Sequence, residues 1–156
     1  MATIYLAGGL FNAGERLHNL YLEKYLQKLS YTVILPQREA LKFFDGNTFD
    51  VNAIREHCKQ QCTDPDNVYV GNVNGADADS GSAVEYGMAI IQNEGAVVYR
   101  TDFRTTPDKE VGLNAMFRGK ETIFVYYPCF FTELDQVEAY YEELAHRIHY
   151  AICELS

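Results

Sequence analysis

The sequence is short of positive charge: 13 Lys and Arg stand against 22 Asp and Glu, a formal net charge of -9. A surface so biased repels a phosphate backbone or an anionic membrane, so polymeric nucleic acid is not an expected partner. Cysteine is scarce as well. Cys58, Cys62, Cys129 and Cys153 lack the density of a small secreted disulfide scaffold, and reduced thiols are expected. Cys58 and Cys62, four apart beside His57, mimic a metal pair, but a zinc site needs two more convergent ligands, so neither metal nor cofactor is expected. No stretch approaches the roughly 20 apolar residues of a spanning helix. The opening residues have no basic n-region and run straight into Gly8-Gly9, reading as a first strand rather than a signal peptide. A cytoplasmic protein without membrane association is the expectation. Ser/Gly-rich, Pro-rich and single-charge tracts are missing too, so the whole chain is expected to fold.

The 156 residues suit one domain spanning 1–156, with no internal repeat or linker. Apolar runs rich in β-branched and aromatic residues lie at Thr3 to Ala7, Tyr31 to Leu35, Val68 to Val73, Ala96 to Tyr99 and Thr122 to Tyr127. Their lack of strict polar alternation suits buried parallel strands. Between them fall helical patterns: Glu15 to Leu29 with Leu17, Leu20, Tyr21, Tyr25 and Leu29 on one face, a weaker Val51 to Gln61, then Ser82 to Asn93 and Thr132 to Cys153. This alternation predicts an α/β fold, a doubly wound five-stranded parallel sheet with helices on both faces, whose ligands bind beyond the carboxyl ends of the strands. Two long loops, Pro36 to Asp50 and Arg100 to Glu121, are polar and aromatic enough to act as lids or subunit contacts.

After the first strand, Gly8 and Gly9 permit a ligand to approach the backbone closely. Their spacing is wrong for G-x-G-x-x-G, and no Gly-Lys-Ser/Thr follows, so neither a dinucleotide nor a triphosphate loop is supported. The richer segment runs from Asn74 to Gly87 and places Asp77, Asp79 and Glu85 around one helix N-terminus. It has two readings. Ser82-Ala-Val-Glu85 fits a capping box, with Asp77 and Asp79 merely complementing the helix dipole. Alternatively, Asp79 and Glu85 face one pocket as a pair of acids of the kind that divides nucleophilic and acid work in retaining glycosyl transfer.

Asp79-Ser-Gly81-Ser-Ala-Val-Glu85-Tyr-Gly resembles the D-x-G-[ST]-A-x-E-x-G signature of the nucleoside 2-deoxyribosyltransferase family. Ile4-Tyr5-Leu6-Ala7-Gly8 with Phe11 is similar to the family's opening strand, and Asn114-Ala115-Met116 resembles its N-x-M segment. The resemblance implies a flavodoxin-like fold and ping-pong exchange of the base of 2'-deoxynucleosides with free purine or pyrimidine bases, through a covalent deoxyribosyl-Glu85 intermediate. Tyr5 would hydrogen-bond Glu85, fixing its rotamer and keeping it ionised, while Asp79, crowded by Glu85 and Asp77, would act as general acid and base. Gly8, Gly9, Phe11, Asp77 and Gly81 would contact substrate. Asn114 and Met116 would reach a neighbouring subunit's site and hold the sugar 5'-hydroxyl, which implies a homo-oligomer with shared sites. An uncharged nucleoside suits that amide and thioether better than a nucleotide. The alternative is an N-glycoside hydrolase of deoxynucleosides or deoxynucleotides with the same nucleophile.

Family members often carry a further acidic site residue before the third strand. Here Glu56, His57 and the Thr63-Asp64-Pro65-Asp66 turn occupy that region without an evident match. Asp102, between Arg100 and Arg104, either gates the pocket, joins subunits or sits in a solvated charged loop. His146 and His149 read as packing or surface positions.

Overall fold

A computed structural model describes residues 2–93, 95–103 and 113–155. The chain runs through β1 (Thr3–Ala7), α1 (Ala13–Lys28), β2 (Thr32–Ile34), a single helical turn α2 (Pro36–Glu39), α3 (Val51–Cys62), β3 (Asn67–Asn72), α4 (Ser80–Asn93), β4 (Ala96–Arg100), β5 (Thr122–Tyr126) and α5 (Val137–Leu155). The strands form one parallel sheet in the order β2-β1-β3-β4-β5, with Tyr5 opposite Tyr69 and Gly71 opposite Val98. All five apolar runs have become strands because parallel strands need cover on both faces.

Alternate residues of β1 show that cover. Ile4 and Leu6 enter a core with Leu22, Leu26, Leu144 and Ile148 on the α1/α5 side, whereas Tyr5 and Ala7 enter another with Tyr69, Tyr86 and Ala89 on the α3/α4 side. Leu144 and Ile148 are fully buried, each contributing roughly 2 kcal/mol of transfer free energy. Stacked Tyr21 and Tyr141 rings, 5.1 Å apart, and the Lys24–Glu138 ion pair at 2.7 Å tie α1 to α5.

From β1 the chain winds outward to β2, then returns past β1 to β3. The loops following β1 and β3 therefore leave in opposite directions and open a crevice between them. Those two strand ends press closely: a Cβ on Gly8 would lie 2.9 Å from the Asn72 Cβ.

Three element details differ from the sequence expectation. On α1, Leu17 and Leu20 are exposed, and the buried stripe is Asn19, Leu22, Glu23, Tyr25 and Leu26. Two polar residues occupy inward positions because each is partnered: Asn19 bonds the Gly9 carbonyl at 3.0 Å, and Glu23 takes both guanidinium arms of Arg38 at 2.6 and 2.7 Å. The Pro36 to Asp50 loop holds α2, a 3-10 turn over Ala40–Phe43 and a Phe44–Phe49 bridge. The last helix begins at Val137, after a 3-10 turn over Leu134–Gln136 in which Glu133 and Gln136 form the capping box. No helix among the described residues is long and apolar enough to cross a membrane.

Candidate active site

Tyr5, midway along β1, donates its phenol to Glu85 Oε1 at 2.8 Å. Glu85 sits on α4, whose first turn is pinned to the sheet by the Tyr69 hydroxyl donating to the Ser82 carbonyl at 2.8 Å. The helix begins at Asp79: its carbonyl accepts from Ala83 N, and its Oδ2 accepts from Ser82 N at 3.0 Å and Ser82 Oγ at 3.2 Å. Asp79 is thus the N-cap, which overturns the capping box on Ser82 and Glu85. Glu85 is released from helix-end duty and turned toward Tyr5.

Asp79, Gly81 and Glu85 line one cavity of about 520 Å³, together with Gly8 and Phe11 from the loop after β1. Gly81 leaves room there, since a Cβ would stand 3.2 Å from Asp79 Oδ2. Phe11, 78% exposed, forms a rim rather than a floor. Phe49 and Leu41 from the segment after β2 close one side, so the first long loop does cover the pocket. Burial raises the Glu85 carboxyl to about 7; the Tyr5 hydrogen bond and the Cys58 thiol oppose that rise, and the Asp79 charge adds to it. The Tyr5 hydrogen bond favours the ionised carboxylate, and desolvation outweighs it. Burial, with the Glu85 charge beside it, holds the Tyr5 phenol well above its ordinary value, so Tyr5 is a lasting donor.

A second, polar cavity of about 510 Å³ lies across the Gly8-Gly9 loop and shares the Asp79 wall. It receives Gly9 and Asp77, with Asn72, Asn74 and His18. Asp77 therefore neighbours Asp79 but lies outside the cavity that holds Glu85. His18 bonds Tyr141 at 2.9 Å and Tyr99 at 3.0 Å, and burial pushes it down to about 4.

A family model of nucleoside 2-deoxyribosyltransferase matches residues 4–116, a span that holds Tyr5, Asp79, Glu85 and Asn114-Ala115-Met116. The chain belongs to the nucleoside 2-deoxyribosyltransferase family. Its fold is similar to that of a conserved protein from Enterococcus faecalis V583, with a TM-score of 0.66 and 21% identity over 96% of this chain and 98% of that one. It is also similar to the 2-deoxyribosyltransferase of the psychrotolerant bacterium Bacillus psychrosaccharolyticus, with a TM-score of 0.57 and 24% identity over 88% and 90% of the two chains. None of the curated proteins compared matches it.

Other residues singled out in this 2-deoxyribosyltransferase-family chain fall away from the cavity. Asn114 and Met116 are exposed and do not line it; Asn114 Oδ1 accepts from Met116 N at 3.0 Å and caps a 3-10 turn, Ala115–Phe117. Glu56 pairs with Arg55, and His57 bonds Glu39 at 2.9 Å. Asp64 accepts from Asp66 N. From α3 it is Ile54 and Cys58 that line the cavity, so no carboxylate enters from that helix. Burial raises the Cys58 thiol, keeping it protonated beside Tyr5 and Glu85. Sequence reasoning weighed Cys58 only as a metal ligand; its position one helical turn from Ile54 was the available clue. Among the described residues, no three His, Cys, Asp or Glu side chains are grouped to hold a metal.

Asp102 is not a solvated charge. It accepts from Arg100 Nε at 2.6 Å and Gly75 N at 2.5 Å, while Arg100 also donates to the Gly75 carbonyl at 3.0 Å. This pair fastens the turn after β3, where Gly75 takes φ 104. Arg104 and the middle of the second long loop lie outside the described residues.

Proposed function

We propose that the protein exchanges the base of 2'-deoxynucleosides through a covalent deoxyribosyl-Glu85 intermediate. The observation that carries this reading is the half-buried Tyr5–Glu85 hydrogen bond opening on the cavity that Asp79 also walls. The Glu85 carboxylate attacks C1', forming a C1'–O bond as the C1'–N bond breaks. The electron pair of that bond leaves with the base, which takes a proton from Asp79. The incoming base then attacks C1' through its nitrogen, Asp79 removes the proton, and the Glu85 carboxylate departs; two displacements give net retention. Tyr5 holds Glu85 in its attacking rotamer throughout.

Two features support a substrate pocket completed by another copy of the chain. Phe11 is exposed at the cavity rim, and Met116 is 77% exposed away from it. In a homo-oligomer, Asn114 and Met116 of one subunit would meet the sugar 5'-hydroxyl in the next.

Incubating 2'-deoxyinosine with adenine, using wild type and Glu85→Ala, and separating products by chromatography tests the proposal. Formation of 2'-deoxyadenosine by wild type alone is the expected result, with the variant at least about a thousandfold slower. Free deoxyribose without the new nucleoside identifies a hydrolase instead. Serial dilution in the same assay tests the shared site: specific activity unchanged in a solution shown by light scattering to be monomeric removes it.

A further inference from the structure

Among the described residues, the Glu85 cavity has one cation on its wall. Arg16, in the first turns of α1, lines it beside Leu10 and Gln37. Its Nη1 donates to the Leu10 carbonyl at 3.2 Å, and no carboxylate among the described residues pairs with it. A guanidinium carries five N–H donors, so most of them remain to be used.

The surroundings offer little competition for a ligand there. Gln37 is held in place: its Oε1 accepts from Asn19 at 3.1 Å and its Nε2 donates to the Arg16 carbonyl at 3.3 Å. Pro36, Ala40 and Leu41 are apolar. The two cavity carboxylates are engaged with other partners: Glu85 is held by Tyr5, and Asp79 caps α4. A base seated in this cavity with its glycosidic nitrogen at Asp79 and an edge at Arg16 would meet the unused guanidinium donors there.

We propose that Arg16 is a specificity-determining residue that reads the acceptor edge of the base, favouring 6-oxopurines over 6-aminopurines. A 6-oxopurine presents O6 and N7 side by side, two acceptors that match the guanidinium fork. A 6-aminopurine sets an N–H donor in place of O6, so donor faces donor and one contact is lost. Arg16 is exposed, which screens the interaction and limits the discrimination to about tenfold rather than the larger ratios of fully buried polar sites.

The inference rests on the base-exchange reading and is tested through kcat/KM for 2'-deoxyinosine and 2'-deoxyadenosine with one common acceptor base. The two bases differ as leaving groups, so the deciding quantity is how Arg16→Met changes each substrate relative to wild type. The expected result is a loss of about tenfold for 2'-deoxyinosine and less than about twofold for 2'-deoxyadenosine. Arg16→Lys should recover only part of the loss, since a point charge lacks the fork. Equal losses, or none, refute the assignment. A loss confined to 2'-deoxyinosine 5'-monophosphate, run in parallel, refutes it as well and makes Arg16 a phosphate contact. Wild type that exchanges neither nucleoside sinks the base-exchange reading itself, whereas base-independent loss in Arg16→Met sinks only the role of Arg16.

Discussion

Glu85 occupies a compromise between burial and reactivity. A desolvated carboxylate is a stronger nucleophile, but desolvation also favours its protonated form, and the balance here leaves it at about 7. Its Tyr5 hydrogen bond acts on the ionised form. Tyr5→Phe should therefore lower kcat/KM by about ten- to hundredfold, the worth of a hydrogen bond to a charged group. It should also move the acidic limb of the pH–rate profile upward, because more Glu85 is protonated at a given pH. An acidic limb that stays in place while the rate falls would mean that Tyr5 shapes the pocket without touching the ionisation of Glu85. At this scale the sequence carried Tyr5, Asp79 and Glu85 through one spaced motif and one strand. It did not carry Cys58 or Arg16. Each lies on a helix whose inward face depends on how the helix is rotated against its neighbours, and nothing local distinguishes a cavity-facing thiol or guanidinium from a surface one.

Strands were legible as elements because five apolar runs each needed cover on both faces, and the order of strand and helix left little choice of topology. The helix faces were less so. On α1, Asn19 and Glu23 took inward positions through hydrogen bonds to Gly9, Gln37 and Arg38, partners 10 to 18 residues distant, displacing Leu17 and Leu20 to the surface. The start of α4 was misread for a related reason. Asp79 and Ser82 are both competent caps, and only the turn after β3 decides between them. That turn is held by Asp102, which bridges Arg100 and the Gly75 amide. Asp102→Ala leaves a 5% exposed Arg100 without this partner, and should cost about 3 kcal/mol in urea unfolding. It should also loosen the loop that leads to Asp79, reducing activity at temperatures where the variant is still folded. Loss of stability with full activity would show that Asp79 is positioned by α4 alone.

Across the whole molecule, two half-buried titratable groups lie on opposite faces of the sheet and pull stability in opposite directions. Glu85, on the α3/α4 side, rises from 4.5 to about 7 on folding. The native state then binds more protons than the unfolded chain between those values, and stability falls as pH climbs through them. His18, between Tyr99 and Tyr141 on the α1/α5 side, drops from 6.5 to about 4. Here the unfolded chain binds more protons, so stability is lost as pH falls from 6.5 toward 4. Each shift corresponds to at most about 3 kcal/mol, reduced to on the order of 2 kcal/mol by solvent screening of partly exposed groups. Between pH 4.5 and 6.5 the two slopes offset one another, and the contribution of this pair to wild-type stability should be nearly flat. Single variants should uncover them. Glu85→Gln should be more stable than wild type at pH 8 by on the order of 2 kcal/mol, and should lose stability on acidification through the His18 window. His18→Gln should instead gain stability as pH falls from 7 to 4.5, whatever its absolute loss from the disturbed tyrosine contacts. Urea unfolding at pH 7.5, 6.0 and 5.0 reads both slopes directly. Variants that shift stability by a constant amount, with the wild-type slope unchanged, would show that neither group is titrating across the folding transition. Opposite slopes would tie the stability of the fold to the ionisation of Glu85, the group that makes its active site reactive.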